Sequence, residues 1–179
     1  MEPVSDTLLK KIEAIRMLIC DVDGVLTDGR IIMDHNGNES KNFYVRDGHG
    51  LKMLLRYGIG VAILTGRESP VVEHRARDLG IHEVYQGIKN KGDFIKEYMQ
   101  KAEIAPEWIA YMGDDIVDIP VFKRVGFSIA VADASDFAKG AADYVTRANG
   151  GKGAVREICE LILQIQDKWH LAAARYHID

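Results

Sequence analysis

At 179 residues and 47% apolar content, the chain is long enough to bury a core as one compact domain, or one domain with a small appendage. A formal charge of −4 and a pI near 5.9 argue against a nucleic-acid partner, which calls for a basic face or stripe. Any anionic ligand must then meet a local cluster of Lys and Arg. Cys20 and Cys159 are too few for a disulfide framework, and the histidines show no metal-ligand spacing. The opening MEPVSDTLLKKIEAIR contains no apolar signal core, and no apolar run approaches about 18 residues, so a cytoplasmic protein with no membrane partner is expected.

In chain order, a first helix is predicted near 7–15, followed by a strand in RMLICDVD. The segment 29–48 holds two β-prone runs, 31–34 and 42–45, around Asn36-Gly37, a pair that favours a tight hairpin turn. A lone hairpin is marginal in water and must pack against something, a neighbouring subunit included. A helix over 49–57 ends at Gly58, and GVAILTG (60–66) is the next strand. Further helices are predicted over 69–79, opened by Ser69-Pro70 and closed by Gly80, over 92–101, over 118–125 and over 152–168. Further strands are predicted in HEVYQG (82–87), WIAYMGDD (108–115) and FSIAVAD (127–133), with a weaker candidate at 143–146. The strands are short apolar runs without strict polar alternation, as parallel strands buried on both faces require. Their alternation with helices predicts an α/β fold, a doubly wound Rossmann-like parallel sheet with a small hairpin insertion after the first strand.

In such sheets the ligand crevice lies outside the carboxyl ends of the strands. Every polar cluster in this sequence falls at such an end. Asp21 and Asp23 end the first strand, Thr65-Gly66-Arg67 the second, and Gly113-Asp114-Asp115 the fourth, while Gln86 to Lys91 follows the third. Carboxylates beside a hydroxyl and cationic side chains suit Mg²⁺ with a substrate phosphate. With Mg²⁺ between Asp21 and Asp114, Asp21 can face phosphorus as a nucleophile. Asp23 then serves as acid to the leaving alcohol and afterwards as base to water. Gly24 lets the backbone turn closely round the phosphoryl group, Thr65 donates to it, and Lys89 or Lys91 neutralises charge.

The motifs Asp21-Val22-Asp23-Gly24, Thr65-Gly66, Lys91 and Gly113-Asp114-Asp115 with Asp118, in this order, resemble those of the haloacid dehalogenase superfamily of aspartate-nucleophile phosphatases. The resemblance covers nearly the whole chain and implies one hydrolase domain over 1–179, with the hairpin at about 30–46 and a C-terminal helix and tail at about 152–179. It favours Lys91 over Lys89, implies an ester-cleaving phosphatase because Asp23 is an acid, and implies a metal set of Asp21, Asp23 and Asp114. Asp115 is read as supporting structure, Asp115 and Asp118 as caps of the following helix, and Asp28 as a turn former.

No cap domain is predicted, since the first insertion is only the hairpin and 86–113 has room for one helix and a loop. This resembles the superfamily's capless subgroup, which implies a homotetramer whose hairpins pack together and whose neighbouring subunits help close each site. Within that subgroup the quoted stretches VRDGHGLKML, YQGIKNKG, YMGDDIVDIPV and ADYVTRANGGKGAVRE are similar to those of phosphatases acting on sugar-acid phosphates in outer-membrane glycolipid synthesis. By position, the implied substrate contacts are Asp23, Tyr44, Val45, Arg46, Asp47, Gly48, Lys52, Gly66, Arg67, Arg75 and Lys91. Arg67 favours an eight-carbon ulosonate 8-phosphate over a nine-carbon 9-phosphate. The tail DKWHLAAARYHID, Arg156 and Arg175 are candidates for closing a neighbour's site. A receiver domain is the rival class, but nothing after the third strand offers an acceptor carboxylate. A non-catalytic scaffold is the other.

Overall fold

A computed structural model describes residues 5–178; residues 1–4 and 179, counted in the expected domain and in the opening helical stretch, lie outside the described residues. The first helix α1 (Asp6–Glu13) starts where the Ser5 hydroxyl accepts the Leu8 N–H at 3.3 Å. It leads into β1 (Met17–Cys20), a fully buried strand. A two-stranded antiparallel hairpin follows, β2 (Ile32–Met33) with β3 (Glu39–Ser40), and then α2 (Val45–Arg56). Next come β4 (Gly60–Leu64), α3 (Pro70–Leu79), β5 (Glu83–Tyr85), α4 (Lys91–Lys101), β6 (Ile109–Gly113) and α5 (Ile119–Phe122). The chain closes with β7 (Phe127–Ala130), α6 (Asp136–Ala141), β8 (Tyr144–Val145), α7 (Ala154–Ile165) and α8 (Trp169–Arg175).

The six strands outside the hairpin form one parallel sheet in the order β5-β4-β1-β6-β7-β8. Leu18 in β1 sits opposite Val61 of β4 on one side and Ala110 of β6 on the other. The crossover from β1 proceeds outward to β4, whereas β6 begins the other wing, so the winding reverses between β1 and β6. A crevice opens at that reversal. On one face α2 packs on α7 and α3, and α1 on α7; α4 packs on α5. The core between them is built by Leu18, Ile19, Leu51, Leu54, Ile63, Ile95, Tyr111 and Phe127, all essentially inaccessible. Both cysteines are free and buried.

The predicted α/β sheet and its strands are present, and β1, β4, β5 and β6 stop short of the expected ends because Asp21, Thr65, Gln86 and Asp114 leave the ladder. The elements differ from the expectation in five places. The second hairpin arm is 39–40, not 42–45: Asp34 accepts from the Asn36 and Asn38 N–H groups at 2.8 Å, closing a short loop that brings Glu39 opposite Met33. Residue 45 therefore opens α2, a turn earlier than predicted. The predicted helix over 118–125 is a single 3₁₀ turn (Ile116–Asp118) followed by the short α5, with Pro120 at its start. The short α6, capped by the Ser135 hydroxyl accepting from Ala138, was not predicted, and the C-terminal tail continues as α8.

Candidate active site

The crevice at the sheet reversal is a cleft of about 380 Å³ whose lining includes Asp21, Asp23, Thr65, Gly66, Arg67, Lys89, Lys91 and Asp114. Each side chain is aimed by a distinct piece of backbone. Asp21 is the first residue past β1, its N–H still donating to the Met112 carbonyl at 3.0 Å while its own Oδ1 accepts from the Val22 N–H at 2.7 Å. Lys91 is the first residue of α4, whose N-terminus is fixed by the Asn90 side chain accepting from Asp93. From there its Nζ reaches Asp21 Oδ2 at 2.8 Å and Asp118 Oδ1 at 2.7 Å, with all three side chains buried. Lys89, the competing lysine, turns away and donates to the Gly66 carbonyl at 2.8 Å. Thr65 is buried directly after β4, and its hydroxyl accepts from the Arg67 N–H at 3.3 Å.

Oxygens of Asp21, Asp114 and Asp118 converge within 4.8 Å of one another. Asp118 is nonetheless spent: Oδ1 accepts from Lys91 and from the Tyr111 hydroxyl at 2.6 Å, and Oδ2 accepts the N–H groups of Asp114 and Asp115 at 2.9 and 3.2 Å. A carboxylate offers about four acceptor sites, so none is left for an ion. Asp118 is a buried anchor that holds Asp114 in place, a larger role than the helix cap read from the sequence. Asp21 and Asp114 are the two carboxylates free to take a hard cation, and the oxygen-only donor set fits Mg²⁺. Gly24 completes this wall: its φ is +86°, and a Cβ there would lie 2.0 Å from Asp114 Oδ2.

Burial pushes the Asp21 carboxyl up to about 6 against the pull of the Lys91 ammonium. Burial and the neighbouring Asp118 and Asp21 carboxylates push Asp114 up to about 7. Burial alone would lower Lys91, but Asp21 and Asp118 hold its ammonium above the ordinary value, so it stays charged.

Asp23 departs from the expected metal set. Its carboxylate points to the hairpin side, where Oδ1 pairs with Lys41 and Oδ2 lies 3.6 Å from Arg67 Nε. Asp115 caps the 3₁₀ turn through Ile116 and reciprocates with Asp118, as the supporting role required. Asp28 accepts from the Arg30 N–H two residues on, a turn former as read.

The remaining expected substrate contacts are not brought to this cleft within one chain. Asp47 is buried and accepts the N–H groups of Gly153 and Arg156 at 3.2 and 2.8 Å, capping α7. Tyr44 and Arg46 line a separate hollow with Arg147, Lys152 and Arg156. Gly48 and Arg75 border a small void beside Phe43, with Arg75 paired to Asp78 at 2.8 Å. Val45 and Lys52 are exposed on α2, as is Arg175 on α8. The cause is the early start of α2, which turns 45–48 toward α7. Two residues at the site escaped the sequence reading, Lys41 and Glu39. They lie between the predicted hairpin arms, Glu39 opening β3 and Lys41 just past its end, and their one signal is a Glu and a Lys flanking a short exposed arm.

A reversal-point crevice in a parallel α/β sheet, with a buried Asp–Lys–Asp core and a second aspartate two residues on, defines an aspartate-based hydrolase of the haloacid dehalogenase type, and comparison with known proteins agrees. The haloacid dehalogenase-like hydrolase profile matches residues 78–158. The chain is 52% identical, over 93% of its length and 88% of the relative, to 3-deoxy-D-manno-octulosonate 8-phosphate phosphatase KdsC of Escherichia coli K12. Among solved structures it is similar to the Yersinia pestis 3-deoxy-D-manno-octulosonate 8-phosphate phosphatase, at 49% identity, TM-score 0.91, and 94% and 91% coverage of the two chains. It is also similar to the Moraxella catarrhalis enzyme, at 40% identity, TM-score 0.91, and 94% and 97% coverage; that structure holds a magnesium ion, a phosphate ion and a KDO molecule. The chain belongs to the haloacid dehalogenase-like hydrolases.

Proposed function

We propose that this chain is a Mg²⁺-dependent phosphatase that hydrolyses 3-deoxy-D-manno-octulosonate 8-phosphate to the free sugar acid and phosphate, in lipopolysaccharide precursor synthesis. The observation that carries it is the Asp21–Lys91–Asp118 core beside Asp114 and Thr65 in one cleft, on a chain 52% identical to a phosphatase of that name. Mg²⁺ held by Asp21 and Asp114 supplies positive charge that relieves carboxylate repulsion and offsets the charge of the phosphoryl group.

In this reading Asp21 attacks phosphorus. The bond from its carboxylate oxygen to phosphorus forms as the phosphorus–oxygen bond to the sugar breaks, and Asp23 passes its proton to the departing alkoxide. Asp23 then takes a proton from water as that water's oxygen attacks the aspartyl phosphate, which releases phosphate and restores Asp21. Lys91 holds Asp21 ionised and oriented, and the Thr65 hydroxyl and Gly66 backbone bound the phosphoryl side of the cleft. In this reading Arg67, half-exposed at the mouth, turns its guanidinium from Asp23 and Glu39 to the substrate carboxylate.

The cleft is open, and the hairpin exposes Ile31, Ile32 and Met33. Both fit a homotetramer in which hairpins pack together and a neighbour's residues, drawn from 44–48, Lys52, Arg75, Arg156 or the C-terminal tail, complete each site; sedimentation at working concentration tests this, and a monomer overturns it. A cytoplasmic location and a single hydrolase domain over the whole chain belong to the same reading. Among the described residues, no helix is long and apolar enough to cross a membrane.

The direct test compares kcat/KM for phosphate release across 3-deoxy-D-manno-octulosonate 8-phosphate, a nine-carbon ulosonate 9-phosphate and hexose phosphates, with and without Mg²⁺. A Mg²⁺-dependent preference for the eight-carbon acid is expected. Preference for the nine-carbon acid keeps the chemistry and changes the substrate, and no release from any of them leaves a non-catalytic subunit.

A further inference from the structure

The base of the hairpin reaches into the site through a lysine. Lys41 follows β3, its side chain is 1% exposed, and its Nζ pairs with Asp23 Oδ1 and lies 3.3 Å from Glu39 Oε1. Glu39 in turn accepts from Arg67 Nη2 at 2.8 Å, and Arg67 Nε stands 3.6 Å from the other oxygen of Asp23. The Asp23 carboxylate is thus gripped on both oxygens, and Glu39 ties the two cations together.

Dehydrating a lysine is costly, so its burial here needs a compensating arrangement, and two carboxylates at its tip provide one. The hairpin that carries it is otherwise exposed and short, with Ile32 and Met33 facing outward. Lys41 is therefore a tether from the hairpin to one catalytic carboxylate. Its direction is informative too: Asp21 and Asp114 converge on each other, whereas Asp23, two residues from Asp21, stands apart from that cluster on the wall of the same cleft.

We propose that Lys41 is a positioning residue for the proton-transfer half of the reaction: by holding Asp23 away from the Asp21–Asp114 pair, it keeps that carboxyl aimed at the leaving oxygen. Lys41 transfers no proton in this role. The proton that reaches the alkoxide comes from Asp23, and Lys41 fixes only where that carboxyl stands. This rests on the phosphatase reading.

Because kcat/KM reports the steps up to alcohol release, it separates this role from general damage when two leaving groups are compared. The poor alkoxide of 3-deoxy-D-manno-octulosonate 8-phosphate needs the acid, and the good phenolate of p-nitrophenyl phosphate does not. Lys41→Met is expected to lose about a hundredfold in kcat/KM on the sugar phosphate and only a few-fold on the aryl phosphate, with Lys41→Arg restoring much of the difference. Equal losses on the two substrates, or no loss on the sugar phosphate, overturn the proposal. If Lys41→Met does not fold, Lys41→Gln carries the same comparison with a neutral donor in place. A wild-type chain inactive on both substrates overturns the phosphatase reading instead.

Discussion

Lys91 has no neutral substitute. Its ammonium is the cation shared by Asp21 and Asp118, in a place where all three side chains are at most 8% exposed. Removing one partner from such a buried group leaves charge without compensation, at a cost of about 3–5 kcal/mol. Lys91→Met is accordingly expected to lower stability in urea unfolding by that order and to remove turnover; a variant as stable as the wild type would show that Asp21 and Asp118 do not depend on it. At this scale much of the site was legible. Asp21, Asp23, Thr65 and Asp114 fall just past strand ends, which the winding of a parallel sheet brings together, and Lys91 follows the loop after the third sheet strand. The resemblance already favoured Lys91 over Lys89, and the α4 N-terminus aims it at Asp21; the anchor role of Asp118 needed the Tyr111 hydroxyl, which reaches it from within the core.

Elements were legible to the extent that their signals were local. Ser69-Pro70 and Gly80 bracket α3 as predicted, with Gly80 in the left-handed conformation at φ +77°. The hairpin was recognisable from Asn36-Gly37, but its register was not, because Asp34 gathers Asn36 and Asn38 into a wider loop than a two-residue turn. That slip also concealed Lys41, which lies where irregular chain returns from the hairpin to α2. The 45–48 stretch reads as loop by composition, with two glycines nearby. It is the first turn of α2, and from it Asp47 caps α7 across the fold, a partner more than a hundred residues away in sequence.

For the whole molecule, acidic composition and an open cleft act together. The two free carboxylates carry raised pKa values, Asp21 at about 6 and Asp114 at about 7, against 3.8 for an unperturbed aspartate. A raised carboxyl pKa contributes stability to the metal-free fold below the unfolded value, and that contribution is lost as pH rises through 6 to 7. Mg²⁺ needs both groups ionised and so competes with protons in the same window. Saturating Mg²⁺ is expected to raise Tm clearly at about pH 8 and little at about pH 5.5, because only bound ligand stabilises. An equal rise at both values would place the ion elsewhere.

The account turns on Asp21 as the nucleophile. The most direct measurement is rapid acid quenching during turnover of 3-deoxy-D-manno-octulosonate 8-phosphate with Mg²⁺, followed by proteolysis and mass spectrometry of the phosphorylated peptide. A phosphoryl group on Asp21, absent from the Asp21→Asn variant, is the result expected. A phosphoryl group on any other residue, or undiminished phosphate release by Asp21→Asn, would contradict it.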